Sequence, residues 1–454
     1  MEPRRRNKRA DRLSPARAGS ETGRAIVIEP FLRRQAPKIR AQQEPHARSP
    51  AARLEEMVGL ARAIDLDVVG SGTVALSAVT PATYIGKGKV EEIAGLVKSH
   101  EAGIVVVDCP ISPVQQRNLE KAWNAKVLDR TGLILEIFGR RARTREGALQ
   151  VEHAHLTYQK SRLVRSWTHL ERQRGGYGFL GGPGETQIEA DRRVITERIA
   201  RIEAELAKVT RTRKLHRAAR KRVPYPIVAL VGYTNAGKST LFNQLTRAGV
   251  LSADMLFATL DPTLRAVELP RGIRIILSDT VGFISDLPTM LIAAFRATLE
   301  EVIEADVILH VRDVSHEEAE AQSRDVEDVL RELGIEAEDK RLIEVWNKTD
   351  LLTDERRGEL SNLAARYPAE RRPMLASAAT GEGIDGLKAA VEARLGASRI
   401  SLDLLLDPAD GAGMSWLHRH TEVLSKAMND EGQLAVTVRA EPATIERVRA
   451  KFSC

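Results

Sequence analysis

Apolar positions along the chain fall in short blocks separated by charged stretches, and the blocks have two textures. Ala25–Glu29 (AIVIE), Asp67–Gly70 (DVVG) and Gly103–Asp108 (GIVVVD) are compact, β-branched and of strand length, whereas the stretch around Ala51–Ala63 and the one beginning at Lys89 carry helical spacing. Strands alternating with helices predict an α/β layer. Ser112, Pro113 and Gln115 read as a helix start, with serine as cap, proline at the first helical position and glutamine reaching back; this helix should run through Trp123. The glycines of Tyr84-Ile-Gly86-Lys-Gly88-Lys89 read as a turn before a helix, and no ligand is assigned to them.

From Thr131 to Arg222 the texture changes to long charged segments, broken at Arg174–Gly184 (RGGYGFLGGPG), where each glycine would cost a helix about 1 kcal/mol. Two helices joined by a glycine-rich tip are expected. The second begins near Thr186 and places Ile188, Ile195, Ile199, Ile202 and Leu206 on one stripe, so it should pack on its partner as an amphipathic arm. His153 and His155 lie on different helix faces and read as solvated, not as a metal pair. Val223-Pro224-Tyr225-Pro226 ends the helix. Beyond it, Ile227–Val231, Ile273–Ser278, Arg341–Trp346 and Arg372–Ala376 read as strands, and Gln433–Arg439 with a helix over Ala443–Lys451 as a small closing α/β unit. The expected division is a basic tail 1–24, an α/β domain 25–139, a helical linker 140–222, a doubly wound α/β domain 223–397 and a small domain 398–454.

Composition narrows the function classes. At 454 residues, 43% hydrophobic and 29% charged, the chain has the makings of several packed cores and is no disordered or fibrous protein. Its only cysteines, Cys109 and Cys454, build neither a disulfide framework nor a zinc site, and without a long apolar window or a secretory apolar run a cytosolic protein is expected. Charge is uneven: the net +7 resolves into +5 for residues 1–24, +1 for 25–139, +12 for 140–222 and −11 for 223–454. A polyanion touching only part of the molecule, nucleic acid first, is the partner such a field selects.

The sharpest chemistry follows Val231. Gly232, Tyr233, Thr234, Asn235, Ala236, Gly237, Lys238 and Ser239 fill GxxxxGK[ST] between a strand and a helix that begins with Thr240, which is the setting of a P-loop. There the backbone wraps phosphates, Lys238 meets the β/γ oxygens, and Ser239 ligates Mg²⁺. Asn347, Lys348, Thr349 and Asp350 (NKTD) close another strand; a carboxylate at Asp350 accepts both guanine donors, N1–H and the exocyclic amine, and adenine has no such pair. Between them, Phe257, Ala258, Thr259, Leu260 and Asp261, then Asp279, Thr280, Val281 and Gly282, read as two nucleotide-sensing switches. Thr259 is the second Mg²⁺ hydroxyl, Asp279 acts on the ion through water, and Gly282 N–H meets the γ-phosphate; Lys238, Thr259 and Gly282 are thus the catalytic candidates. Ser377, Ala378 and Ala379 back the base. Phe283 stands where Ras-like proteins place the water-orienting glutamine, so hydrolysis should be slow until a partner or an ion assists. Asn235 occupies the position that ligates a monovalent cation in potassium-activated GTPases, so K⁺ is expected beside Mg²⁺.

Taken with Tyr84–Glu92 (YIGKGKVEE), Leu128–Gly132 (LDRTG), Arg141–Gly147 (RARTREG), Arg172–Gly176 (RQRGG), Gly182–Gln187 (GPGETQ) and Phe257–Thr263 (FATLDPT), residues 25–397 resemble the HflX family of translational GTPases. The resemblance implies a P-loop GTPase G domain preceded by an N-terminal α/β domain and a two-helix linker, acting on the large ribosomal subunit in splitting, rescue or biogenesis. It also implies that the tip reaches ribosomal RNA near the peptidyl transferase centre, with Arg172, Arg174, Gly175, Gly176, Gly181 and Gly182 as RNA contacts. A monomer is expected. Two other readings stay open: a GTPase serving an RNA-modifying system, although 25–222 holds no further catalytic constellation, and a regulator of membrane proteins, although no amphipathic anchor is evident.

Overall fold

The structure is a computed structural model and describes residues 23–33, 48–173, 187–220, 225–246, 256–257, 259–260, 263–286, 299–397, 400–429, 432–440 and 442–452. In its first part β1 (Arg24–Leu32), α1 (Pro50–Arg62), β2 (Asp67–Leu76), α2 (Lys87–Ser99), β3 (Ile104–Val107), α3 (Pro113–Trp123) and β4 (Lys126–Asp129) alternate, and the strands form a parallel sheet in the order β2-β1-β3-β4. The two faces of β1 divide by parity. Ala25 and Val27 pack with Met57 and Leu60 of α1, whereas Ile26 and Ile28 pack with Val90 of α2 and Leu119 and Trp123 of α3. Burial on both faces is why β1 reads as a continuous apolar run. The Ser112 cap forms as expected: Ser112 N–H donates to Gln115 Oε1 at 2.8 Å, and Gln115 N–H returns to Ser112 Oγ at 3.3 Å.

A helix absent from the sequence reading follows, α4 (Arg130–Arg141), capped by Asp129 Oδ1, which accepts from Gly132 N–H at 2.8 Å. Leu133, Ile134, Leu135, Ile137 and Phe138 are all buried. The apolar run of this helix, Leu133–Phe138 interrupted by Glu136, is of strand length and so does not declare a helix by itself, and it packs into the core that joins the first sheet to the next. The arm consists of α5 (Arg145–Gln173) and α6 (Gln187–Arg220). They run antiparallel: Arg198 meets Glu152 at 2.6 Å, Arg145 meets Glu205 at 3.2 Å, and Ile199 and Ile202 are buried. His153 stays partly exposed to solvent and faces Glu203 across the arm at 3.3 Å. Arg172 falls in α5, while Arg174, Gly175, Gly176, Gly181 and Gly182 lie outside the described residues.

The second sheet is built from β5 (Ile227–Gly232), α7 (Lys238–Thr246), β6 (Thr263–Glu268), β7 (Arg274–Asp279), β8 (Val307–Asp313), α8 (Ala319–Glu332), β9 (Leu342–Asn347), α9 (Asp354–Ala365), β10 (Met374–Leu375) and α10 (Ile384–Ala397). Its order is β10-β9-β8-β5-β7-β6, parallel except for β6. β5 lies between β7 and β8, so the strand order reverses there and opens a crevice at the carboxyl ends. The edge strand β6, TLRAVE, is half exposed and mixes apolar with polar residues, so the sequence alone does not mark it as a strand. A third sheet, β11-β13-β12, follows: β11 (Ile400–Leu406), α11 (Gly411–His420), β12 (Glu422–Met428), β13 (Leu434–Ala440) and α12 (Pro442–Phe452) enclose Leu404, Leu417, Val436 and Val448. One core runs through the first two units, joining Met57, Leu133 and Phe138 to Phe257, Leu230 and Phe283, so these units share an interior.

Candidate functional site

The loop between β5 and α7 is held by two glycines that have no substitute. At Gly232 (φ +151°) a Cβ would lie 2.2 Å from the Val311 carbonyl oxygen, and at Gly237 (φ +89°) it would lie 2.3 Å from Asn347 Nδ2. Asn235 sits at φ +59°, a region asparagine tolerates better than most residues. Lys238 is buried under the loop and donates from Nζ to the Gly232 and Tyr233 carbonyls at 3.0 and 2.7 Å. Burial pulls its pKa down to about 8, against the pull of Asp279 in the other direction.

Beside it, Asp279 Oδ2 accepts from Ser239 Oγ at 2.8 Å and from Thr259 Oγ1 at 2.9 Å, and those hydroxyls are themselves 2.9 Å apart. Asp279 Oδ1 is buried with no hydrogen-bond partner. Burial raises the Asp279 pKa, with the two hydroxyls and Lys238 opposing the rise. Hydroxyl and carboxylate oxygens converging at the N-terminus of α7, one of them unsatisfied, fit a hard divalent ion such as Mg²⁺. Thr240 follows Ser239 in the first turn of α7.

The segment after β7 leans on the loop. Thr234 N–H donates to the Phe283 carbonyl at 2.7 Å and Phe283 N–H to the Gly232 carbonyl at 3.1 Å, while Thr280 Oγ1 donates to the Leu230 carbonyl at 2.5 Å and Val281 is buried. A Cβ on Gly282 would stand 2.9 Å from Lys238 Nζ and 3.0 Å from Thr234 Cα, so Gly282 is pressed against the phosphate-loop lysine. Phe283 is 1% exposed and points into the core. Leu260 is buried, and Phe257, at φ +57°, packs edge-on against Phe138 of α4 with centroids 4.8 Å apart. Ala258 and Asp261 lie outside the described residues.

Asn347 staples the remaining loops together. Its Nδ2 donates to the Ala236 carbonyl at 2.8 Å, and its Oδ1 accepts from Ala378 N–H at 2.9 Å. Thr349 Oγ1 donates to the Ala376 carbonyl at 3.0 Å, and Ser377 Oγ to Asp350 Oδ1 at 2.6 Å. Lys348, at φ +64°, pairs with Asp313 at 2.7 Å, and Ala379 is exposed at the rim. Loops scattered over some 150 positions, from Gly232 to Ala379, thus meet at the carboxyl ends of β5, β7 and β9.

Sequence reasoning missed a further group that reaches these loops from the first unit. Tyr233 Oη donates to Glu56 and accepts from Arg48 Nη1 at 2.8 Å, and Arg130 Nη2 donates to the Ser285 carbonyl at 2.9 Å. The available signal was weak: Glu56 is one of two adjacent glutamates in a helix, and Arg130 is one of three arginines in another.

Comparison with known proteins gives consistent matches. Residues 51–139 match a family described as GTP-binding GTPase N-terminal, 141–220 one described as GTP-binding GTPase Middle Region, and 227–348 one described as 50S ribosome-binding GTPase. The chain is 51% identical over 398 residues to a protein of Magnetococcus marinus named GTPase HflX, covering 88% of this chain and 90% of that one. Against the Escherichia coli protein of the same name it is 43% identical over 389 residues, covering 85% and 89%. A solved GTP-binding protein from the archaeon Sulfolobus solfataricus, in complex with GDP, aligns at 21% identity and TM-score 0.43 over 82% of this chain and 98% of that one. Among the described residues no helix is long and apolar enough to cross a membrane.

Proposed function

The chain belongs to the HflX family of GTPases, and from that premise we propose that it is a GTP-hydrolysing switch that binds the large ribosomal subunit in the cytoplasm, splitting or rescuing ribosomes or aiding subunit biogenesis. The family and the P-loop fold make it a GTPase. In our reading, residues 232–240 hold the phosphates, Asn347–Asp350 with Ser377–Ala379 hold guanine, and the segments 257–261 and 279–282 respond to the γ-phosphate. Ser239 and Thr259 would hold Mg²⁺ directly and Asp279 through water; the ion neutralises charge on the β/γ oxygens. Lys238 adds a fixed ammonium beside them, and Gly282 N–H is the donor that senses the third phosphate.

The observation that carries the ribosomal reading is charge. The arm and its tip hold a net +12 over residues 140–222, while residues 223–454 hold −11, which suits a molecule that presents one basic surface to RNA and keeps the rest away from it. Replacing Arg172 and Arg174 with glutamate should therefore weaken cosedimentation with large subunits and flatten its log–log salt dependence by about 0.7–0.9 per lost phosphate contact, with GTP affinity of the free protein unchanged within about twofold. Normal subunit binding by that variant at near-physiological salt would return the arm to the role of a solvated spacer. Preferential binding to free tRNA would favour the RNA-modification reading instead.

Because Phe283 supplies no polar group, a monovalent cation at Asn235 is proposed to assist the reaction. Hydrolysis should be faster in K⁺ than in Na⁺ at equal ionic strength, and Asn235→Ala should remove the difference. Equal wild-type rates in the two salts would discard the cation.

A further inference from the structure

In the base-site reading, Asn347–Asp350 after β9 and Ser377–Ala379 after β10 face the same ring, so selection depends on the spacing of the two loops. The second loop is rigid in itself. Ser377 N–H donates to the Glu382 carbonyl at 2.9 Å, Gly381 N–H to the Ser377 carbonyl at 2.9 Å and Thr380 N–H to Ser377 Oγ at 3.1 Å, so positions 377–382 move as one body. At their roots the two loops are joined by Thr349, whose N–H and Oγ1 both donate to the Ala376 carbonyl, at 3.3 and 3.0 Å.

A second tie, on the outer side, comes from another element. Arg357 of α9 reaches both loops at once: Nη2 donates to the Thr349 carbonyl at 2.8 Å, and Nη1 donates to the two carboxylate oxygens of Glu382, each at 3.3 Å. The helix start puts it there. Thr353 caps α9, its Oγ1 accepting from Arg356 N–H at 3.3 Å, which sets Arg357 in the first turn beside the loop it follows. A guanidinium presents two nitrogens in one fixed fork, whereas a lysine has a single nitrogen and can serve only one of these partners well. The ion pair is the lesser part, since its side chains are 34% and 56% exposed and exposed pairs contribute little. The shorter, charge-assisted bond to the Thr349 carbonyl carries more.

We propose that Arg357 is a positioning residue for guanine selection, holding the Asp350 carboxylate in register with the Ser377–Ala379 loop by bridging Thr349 and Glu382. It acts through the two loops and not by contact with the base. This rests on the base-site reading above and adds the group that sets the distance between its two halves.

The test uses the full-length chain in competition binding with GDP and IDP. Hypoxanthine lacks the exocyclic amine, so a displaced Asp350 costs guanine both donor contacts and hypoxanthine only the N1–H contact. Arg357→Met keeps the stem and removes the donors: GDP affinity should fall about tenfold and IDP affinity less than about threefold, narrowing the preference for GDP. Single-turnover hydrolysis at saturating GTP should stay within about twofold, because the groups around the β/γ-phosphates are untouched. Arg357→Lys should recover only part of the preference, and Glu382→Gln should lose less than about threefold in GDP affinity. If Arg357→Met melts below the assay temperature, Arg357→Lys carries the same comparison of GDP with IDP. An unchanged ratio of GDP to IDP affinity in the folded variant would overturn the proposal, and so would equal losses for the two nucleotides, which mark a brace with no part in selection. Asp350→Asn run alongside separates the two readings. If it also leaves base preference intact, the base-site reading falls and the proposal with it; if it changes preference and Arg357→Met does not, only the proposal falls.

Discussion

Asp350→Asn is expected to move base preference from guanine toward xanthine, lowering GTP affinity by about 100-fold. Ser377 Oγ donates to Asp350 Oδ1 at 2.6 Å, and the neighbouring Asn347 and Thr349 are bonded to the P-loop and to the Ala376 carbonyl, so the carboxylate is presented from a braced loop. An ionised acceptor facing guanine N1–H and the exocyclic amine pairs with both. An amide offers one acceptor and one donor, and the donor meets the amine of guanine but the carbonyl of xanthine. Displacement of labelled GDP by GTP, XTP and ATP reads the change directly. A folded variant that still preferred GTP would remove Asp350 from the base site.

Gly237→Ala is the second large effect. Its Cβ would fall 2.3 Å from Asn347 Nδ2 at a backbone φ of +89°, so the added methyl must push away the side chain that holds the P-loop and the 376–378 loop together. Nucleotide affinity should drop by about 100-fold or more, because phosphate and base subsites would no longer be set relative to each other. Gly272→Ala separates strain from site chemistry. It has a similar φ of +85° with nothing within 4 Å of a Cβ, so its consequence is confined to about 1–2 kcal/mol of stability with nucleotide binding intact. Titration calorimetry with GDP and thermal melts on both variants distinguish the two outcomes; equal GDP affinity in both would mean that Asn347 does not couple the loops.

What was legible in the sequence is what phosphate and base chemistry impose on residue type. Gly232 and Gly237 are confined by a positive φ and a close approach, and Lys238, Ser239, Asp279, Asn347 and Asp350 follow by motif and spacing, so the sequence groups the residues that the structure gathers at the carboxyl ends of β5, β7 and β9. The first sheet was readable because β1 and β3 are apolar on both faces, and the Ser112 cap because it is local. Three features were not readable, each for a physical reason. The apolar run of α4, Leu133–Phe138, is only six residues long, so periodicity could not separate a helix from a strand there. β6 is a short, half-exposed edge strand whose pairing with β7 is decided by the sheet. The cluster of Arg48, Glu56, Arg130 and Ser285 joins positions up to 229 residues apart, and its members are ordinary charged or polar residues until the fold brings them to Tyr233. Division of the chain by composition also implied a nucleotide domain separate from the first unit, whereas Phe138 against Phe257 and the common core show an interior shared by both.

The central claim is that nucleotide state controls attachment to the large ribosomal subunit through the basic arm. Its most direct test is cosedimentation of the full-length protein with purified large subunits at near-physiological salt, in a non-hydrolysable GTP analogue and in GDP, with the Arg172→Glu/Arg174→Glu variant alongside. The account predicts that the wild-type chain pellets with large subunits in the GTP analogue, that GDP releases most of it, and that the variant remains in the supernatant in both. Equal pelleting in the two nucleotides, or pelleting of the variant at the wild-type level, would contradict it.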